Sequence, residues 1–363
     1  MKTPVEIAPV KPYSDTDVAT ESKSLWYYSW KRLKRNKLAM AGLYMIFILI
    51  FVAVTADIIA PYNPNQQILE FSVKPMNFHG LVLKKKQVTN ENENLYLAIK
   101  NVVKVENGKV YYNDYTGSQK DIDEAELQKT DGKYEREISF LLGTDRFGRD
   151  VLSRLIYGSR VSLSVGIISE SIAIVLGVLF GAFAGYFRGK TDGIIMWIIN
   201  VVWAFPTILF IIAISVVLGK GFWQAFVAIG VTGWVDIARI VRGQFFSLRE
   251  MEYVEATKAI GFKPTRIILR HMLPNVLGPV IVTGTVGLAT AILFEASLSF
   301  LGLGVQPPTA SWGQMIFDGY KYILAGSNWG LAVFPSIAIM LTIFAVNLVG
   351  DGLRDAMDPK LQK

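Results

Sequence analysis

Few side chains in this sequence are spaced for chemistry, and their types exclude most of it. There is no cysteine, so no disulfide, thiolate nucleophile or cysteine-ligated metal is available. The two histidines, His79 and His271, stand far apart, so no metal site or other cofactor is expected within the chain. No serine has a histidine and an acid at a recognisable spacing. Gly189-Lys190-Thr191 matches the end of a phosphate-binding loop, but the glycine required five residues earlier is Ala184. The stretch also follows an apolar block rather than a strand, so a tight turn is expected there. What remains is charge within or beside apolar blocks: Glu170, Asp236 and Arg239, and the cluster Asp145, Arg146, Arg149, Asp150, Arg154 and Arg160. Charge in an apolar span is costly and marks a functional candidate. Asp236 and Arg239, three residues apart on a helix, predict an ion pair. The larger cluster predicts ion pairs that fix a junction rather than a catalytic site. Asn200 and Asn347 predict interhelical hydrogen bonds. No catalytic residue is assigned.

The elements that carry these residues are long and apolar. The chain has 363 residues, 52% of them hydrophobic, concentrated in blocks near the length that crosses about 30 Å of hydrocarbon. The blocks are Leu38–Ile59, Val161–Phe187, Gly193–Leu218, Trp223–Val241, Pro279–Leu301 and Leu331–Leu353. The net charge of +7 sits beside them, which suits membrane topology rather than nucleic-acid binding. Residues 1–37 form a polar leader ending in Leu25, Trp26, Tyr27, Tyr28 and Trp30, the composition of an interfacial helix, followed by Lys31, Arg32, Lys34, Arg35 and Lys37. That cluster predicts an uncleaved anchor and a cytoplasmic N-terminus. Residues 38–60 are the first span, 141–160 an amphipathic linker lying along the outer face, 161–353 a core with five further spans, and 354–363 a cytoplasmic tail. Gly177, Gly181 and Gly185 predict close helix packing, within the chain or against another subunit. Pro206 and Pro335 predict kinks.

Residues 61–140 differ in kind, with lysines and acids alternating at near charge balance. Topology places them outside the cytoplasm. Val102–Tyr112 alternates around Asn107-Gly108, a hairpin signal with a type I′ turn, and Asp131-Gly132 marks another turn. A small β-rich domain is expected, either a docking surface or a simple cap.

Leu248–Asn275 is polar, basic and helix-prone between two spans. A helix over Leu248–Ala259 is predicted to end at Gly261. A second begins with Pro264 in its first turn and is predicted to stop at Pro274.

This stretch resembles the EAA loop of permease subunits of binding-protein-dependent ABC transporters. Glu255 and Ala256 match, Thr257 replaces the second alanine, Gly261 has the right spacing and Leu273-Pro274 closes the motif; His271 replaces an isoleucine. LLGTDRFGRDVLSRLIYGSRVSL from Leu141, EASLSFLGLGVQPPTASWGQMI from Glu295 and NLVGDGLRDAMDP from Asn347 resemble the C-type permease of the oligopeptide/dipeptide/nickel family. The resemblance spans 24–60 and 141–360, not 61–140. It implies an all-α membrane protein of six transmembrane helices, the type I permease fold, in a bacterial cytoplasmic membrane. It implies a second homologous permease subunit, two ATP-binding subunits and an extracytoplasmic substrate-binding protein as partners. It implies ATPase coupling through Glu255, Ala256, Gly261, Pro264, Arg266, Leu273 and Pro274. Glu170 then lines the pathway and meets a peptide's amino group, pairs with Arg160 or a partner subunit, or is protonated. Glu295, Gly302, Gly304 and Trp312 are expected at an outer gate. Peptides, nickel complexes and other small solutes share the pattern. A receptor or scaffold predicts a cytoplasmic signalling domain, and a channel or secondary carrier needs no EAA loop.

Overall fold

The computed structural model describes residues 25–86, 95–130 and 132–357. The leader up to residue 24 and the tail residues Lys360 and Lys363 lie outside the described residues. Helix α1 (Leu25–Leu33) is followed by α2 (Lys37–Val54), whose first turn is capped by the Asn36 side chain accepting from the Leu38 and Ala39 amides. Half of α2 is exposed, Tyr44, Phe47, Ile48 and Phe51 included, as a lipid-facing helix requires. A short α3 (Ala56–Ile59) leads into the insertion.

The insertion is an antiparallel sheet of β1 (Phe78–Lys84), β2 (Tyr96–Glu106), β3 (Lys109–Asp114), β4 (Gln119–Asp123) and β5 (Glu135–Phe140), ordered β4-β3-β2-β1-β5. Adjacent residues point to opposite faces. Val82, Ala98 and Ile138 therefore join a cluster around Phe71 and Phe140, while Leu83 and Ile99 join Val110, Tyr112 and Leu127. The predicted hairpin is present: Glu106 faces Lys109, and Asn107 and Gly108 have φ of 56° and 74°, as a type I′ turn needs. Asp131 lies outside the described residues; beside it Gly132 has φ 79° and Thr130 pairs with Lys133.

Helix α4 (Val151–Phe187) is a single helix of 37 residues capped by Asp150. The expected separate helix along the outer face is thus corrected: its residues are the first turns of α4, stabilised as described below. Then follow α5 (Gly189–Trp203), α6 (Thr207–Leu218) and α7 (Phe222–Arg249). Next come α8 (Glu252–Ala259), α9 (Pro264–Arg266), a π-helical stretch (Ile267–Met272) and α10 (Leu273–Phe300). The chain closes with α11 (Trp312–Leu324) and α12 (Gly330–Met357).

Among the described residues, five helices are long and apolar enough to cross a membrane, and α5 with α6, bent by 92°, make a sixth if taken as one span. Packing direction supports that count. Gly177, Gly181 and Gly185 of α4 meet α7 in ascending order, at Ile237, Val241 and Phe245, so α4 and α7 run parallel. The chain must return between them, and only α5 and α6 intervene. A Cβ at Gly181 would come within 2.5 Å of the Ala238 carbonyl oxygen, so the glycine stripe brings two helices of this chain together. The 92° bend falls at Pro206, as predicted, and Pro335 lies inside α12.

Helices α10 and α4 are antiparallel, Gly287 lying against Glu170 and Gly166 against Ile292. Gly278 meets Met357, Gly350 meets Thr285 and Gly352 meets Ala39, so α12 is antiparallel to both α10 and α2. One end of the molecule thus gathers α1, the α4–α5 turn, α8–α9 and the end of α12; the other carries the sheet and α11.

Candidate functional site

The loop between α7 and α10 is built from two cap signals and one departure. Helix α8 ends with Gly261 at φ 84°. The Gly261 amide donates to the Lys258 carbonyl at 2.9 Å and the Phe262 amide to Thr257 at 3.1 Å, the paired bonds of a Schellman motif. Lys263 is then extended and Pro264 starts the next helix with its fixed φ. The expected helix from Leu248 is corrected: α7 reaches Arg249 and a break at Glu250 and Met251 precedes α8. The expected stop at Pro274 is corrected too. Pro264–Phe300 runs as one helix of 37 residues, with the turns before Pro274 widened to π geometry. Pro274 has no amide to bond and its ring crowds the preceding turn, and a widened turn relieves both without breaking the helix.

The loop is anchored on one face and open on the other. Val254, Ile267, Ile268 and Met272 are buried against Val241, Phe245 and Tyr186. Arg249 donates to the Tyr186 carbonyl at 2.7 Å, and Arg188 pairs with Glu250 at 2.6 Å, tying the loop to the end of α4. Glu255, Ala256, Gly261, Pro264, Arg266 and Pro274 are exposed, and Leu273 is half-buried. Arg266 lies over the Phe262 ring at 4.1 Å, and that ring stacks on His271. Ile260 and Leu269 are 72% and 64% exposed among these charges. The result is a rigid, amphipathic, basic surface at one end of a helix bundle.

The second feature is a cavity of ≈ 230 Å³ between α4, α5, α6, α7 and α10. Glu170, Ser169, Asp236, Thr232, Thr283 and Thr290 supply its polar lining, with Trp203, Phe210 and Phe294 as aromatic walls. Glu170 does not pair with Arg160, which donates instead to Asp57 at 2.8 Å and to the Val54 carbonyl at 3.0 Å. The predicted Asp236–Arg239 ion pair does not form. The Arg239 guanidinium lies 3.6 Å from the centre of the Trp203 ring and reaches the Asn200 side chain at 3.4 Å, because the α5–α6 bend presents that indole face. Asn200 thus makes its expected interhelical contact, whereas Asn347 is exposed and makes none among the described residues.

The other residues expected at a gate do not line this cavity. Glu295 is fully buried, accepting from Ser299 at 2.8 Å and from Ser162 at 3.4 Å. Trp312 is buried against Gly158 and donates its indole N–H to the Leu155 carbonyl at 2.9 Å. Gly302, at φ 74°, closes α10 with a second Schellman turn, and Gly304 packs on Ser299. They lock α10, α4 and α11 together; their buried polar groups had to find partners, and serines from three elements supply them.

The charged cluster at the start of α4 fixes a junction, as predicted. Arg149 bonds Asp145 at 2.6 Å, Arg146 pairs with Asp318 of α11 at 3.1 Å, and buried Arg154 donates to the carbonyls of Pro64 and Pro308 at 3.1 and 3.3 Å. Burial pushes the Asp318 carboxyl above its ordinary range, while Arg146 and Arg149 pull it down. The Tyr62 amide donates to Ser153 of α4, and Asn328 of the α11–α12 turn to the Lys74 carbonyl, so the segment that leads into the sheet is tied to the helical part. Sequence inspection missed Asp318 and Gly287; neither lies near its partner in the chain.

A helix bundle crossing a membrane, a polar-lined cavity within it and a stiff basic loop at one end define a membrane transport component. The chain belongs to the family of binding-protein-dependent transport system inner membrane components, which matches residues 177–363. Residues 24–75 match the N-terminal transmembrane domain of oligopeptide transport permease C. It is accordingly a multi-pass inner-membrane permease subunit of the ABC importer type. It is 38% identical over 336 residues to the dipeptide transport system permease protein DppC of Bacillus subtilis, covering 92% of this chain and 86% of that one. It is 35% identical to the oligopeptide transport system permease protein OppC of the same organism, covering 95% and 93%. The di/tripeptide permease protein DppC of Pseudomonas aeruginosa is 32% identical, covering 92% and 91%.

Proposed function

We propose that this chain forms the translocation pathway of an ATP-driven peptide importer together with a second homologous permease subunit. Two ATP-binding subunits and an extracytoplasmic substrate-binding protein complete the complex. The sequence carries no assignable catalytic constellation, so ATP hydrolysis is the task of the partner subunits. The names of the relatives, dipeptide, oligopeptide and di/tripeptide permeases, support peptides over nickel or other solutes. Both termini are cytoplasmic in this reading. Its support is that α1, the α4–α5 turn, α8–α9 and the end of α12 share one end of the bundle, where Lys31, Arg32, Lys34, Arg35, Arg188, Lys190 and Arg266 also lie.

The observation that carries the proposal is the loop of α8, Gly261 and α9, apolar on its anchored face and exposed at Glu255, Ala256, Pro264 and Arg266. An ATPase groove receives the exposed face. The chain lacks cysteine, so a single introduced thiol is unique. Lys258→Cys and Arg266→Cys should each cross-link to an ATP-binding subunit, and Asn107→Cys should not. Cross-linking at neither loop position would refute the proposal.

A further inference from the structure

Glu170 is buried to 7% exposure in the middle of α4, and its Oε1 has no hydrogen-bond partner. It lines the cavity, as does Ser169, whose buried hydroxyl is likewise unpartnered. The fold reserves space for the carboxylate: a Cβ at Gly287 of α10 would come within 2.5 Å of all three carboxyl atoms, and Gly284 lies on the same wall. Asp236 of α7 lines the same cavity and has no ion pair among the described residues, because Arg239 is held over Trp203. Two carboxylates therefore converge on one cavity with no internal cation between them. A buried carboxylate without a partner is expensive unless a ligand or a proton supplies one. The remaining walls, Thr232, Thr283, Thr290 and the rings of Phe210 and Phe294, suit an ammonium group, with hydroxyl acceptors and aromatic faces.

We propose that Glu170 and Asp236 form an ammonium-recognition site within the pathway, with Glu170 as the hydrogen-bonding carboxylate and Asp236 as a longer-range attractor. The proposal rests on the peptide-importer reading and names the part of the substrate that this subunit contacts. The α-ammonium of a peptide and a lysine side chain share this chemistry. Selectivity then belongs partly to the permease, not wholly to the protein that delivers substrate.

The test uses the complete transporter in proteoliposomes with its binding protein and the tripeptides Ala-Ala-Ala, Ala-Lys-Ala and Ala-Glu-Ala. A lost hydrogen bond to a charged group predicts that Glu170→Gln lowers the initial uptake rate at subsaturating peptide by about tenfold or more. Asp236→Asn, at an exposed position, should lower it a few-fold. A fall for all three peptides identifies the α-ammonium as the ligand, and a fall for Ala-Lys-Ala alone identifies the side chain. Complex yield and ATPase copurification report assembly; should Glu170→Gln fail to assemble, Asp236→Asn decides. Unchanged uptake of all three peptides in every assembled variant would overturn the site while leaving the importer reading standing. Absence of ATP-dependent uptake in the wild type would instead overturn that reading.

Discussion

Gly261→Val is the sharpest probe of the loop. The residue sits at φ 84°, and a Cβ there would meet nothing within 4 Å. The cost is therefore in the backbone alone and is not confounded by packing. An ordinary L-residue in the left-handed region costs about 1–2 kcal/mol, and a β-branched one more. That is small beside the roughly 5–15 kcal/mol that holds a typical domain together, so the subunit should still insert and fold. It is large for a local turn held by two backbone bonds at 2.9 and 3.1 Å. Released as loop displacement, 1–2 kcal/mol shifts the population of correctly placed loops about 5–30-fold.

The assay compares complexes purified in detergent for ATPase copurification and for hydrolysis stimulated by the loaded binding protein. The expected order is glycine, asparagine, alanine, valine, because asparagine tolerates the left-handed region best of the three replacements. Glu255→Ala should weaken the same readouts less, since Glu255 is exposed and its loss distorts no backbone. Wild-type copurification and stimulation with Gly261→Val, or an order unrelated to left-handed tolerance, would refute the coupling role.

Three further outcomes follow from the packing. A cysteine replacing Asn107 should react with an impermeant thiol reagent in intact cells while one appended to the C-terminus should not; the reverse pattern would break the six-span topology. Gly181→Val should reduce the yield of folded subunit, because its Cβ would come within 2.5 Å of the Ala238 carbonyl and overpacking costs about 1–3 kcal/mol or more, whereas Gly193→Ala, with nothing within 4 Å, should be silent in the same membrane-yield assay. Arg154→Ala should cost about 1–3 kcal/mol by leaving buried carbonyls unpaired, seen as a lower Tm in detergent and faster proteolysis between the sheet and α4; an unchanged Tm would show that the junction does not depend on that side chain.

Local signals in the sequence predicted local structure well. Asn107-Gly108 forces a tight primed turn wherever alternating runs flank it, and Gly261 and Pro264 mark helix ends by backbone rules that need no neighbours. The failures involve partners distant in the chain. Arg239 leaves Asp236 because Trp203 arrives from another helix, and Trp312 is a buried wedge because Gly158 leaves room for it. The charges before α4 and in its first turn look too dense for a helix entering a membrane, and they are tolerated because Asp318 and the carbonyls of Pro64 and Pro308 receive them. Pro274 misled for a subtler reason. A proline ordinarily ends a helix, and only the π-helical turns before it carry the backbone through.

That continuity changes how the loop can act. With a stop at Pro274, the exposed second helix of the loop would be a separate lever, joined to the bundle through a bend that absorbs displacement. Instead Pro264–Phe300 is one helix whose first turn carries Arg266 at the exposed surface and whose middle carries Gly284 and Gly287 beside Glu170. At 1.5 Å per residue those points lie about 30 Å apart along a single axis. The cavity wall and the loop are thus parts of one continuous helix, with the π stretch between them. If the loop couples to an ATPase as proposed, a push at Arg266 need not be relayed through side chains: a tilt of this one helix would shift Gly287 against Glu170 of α4.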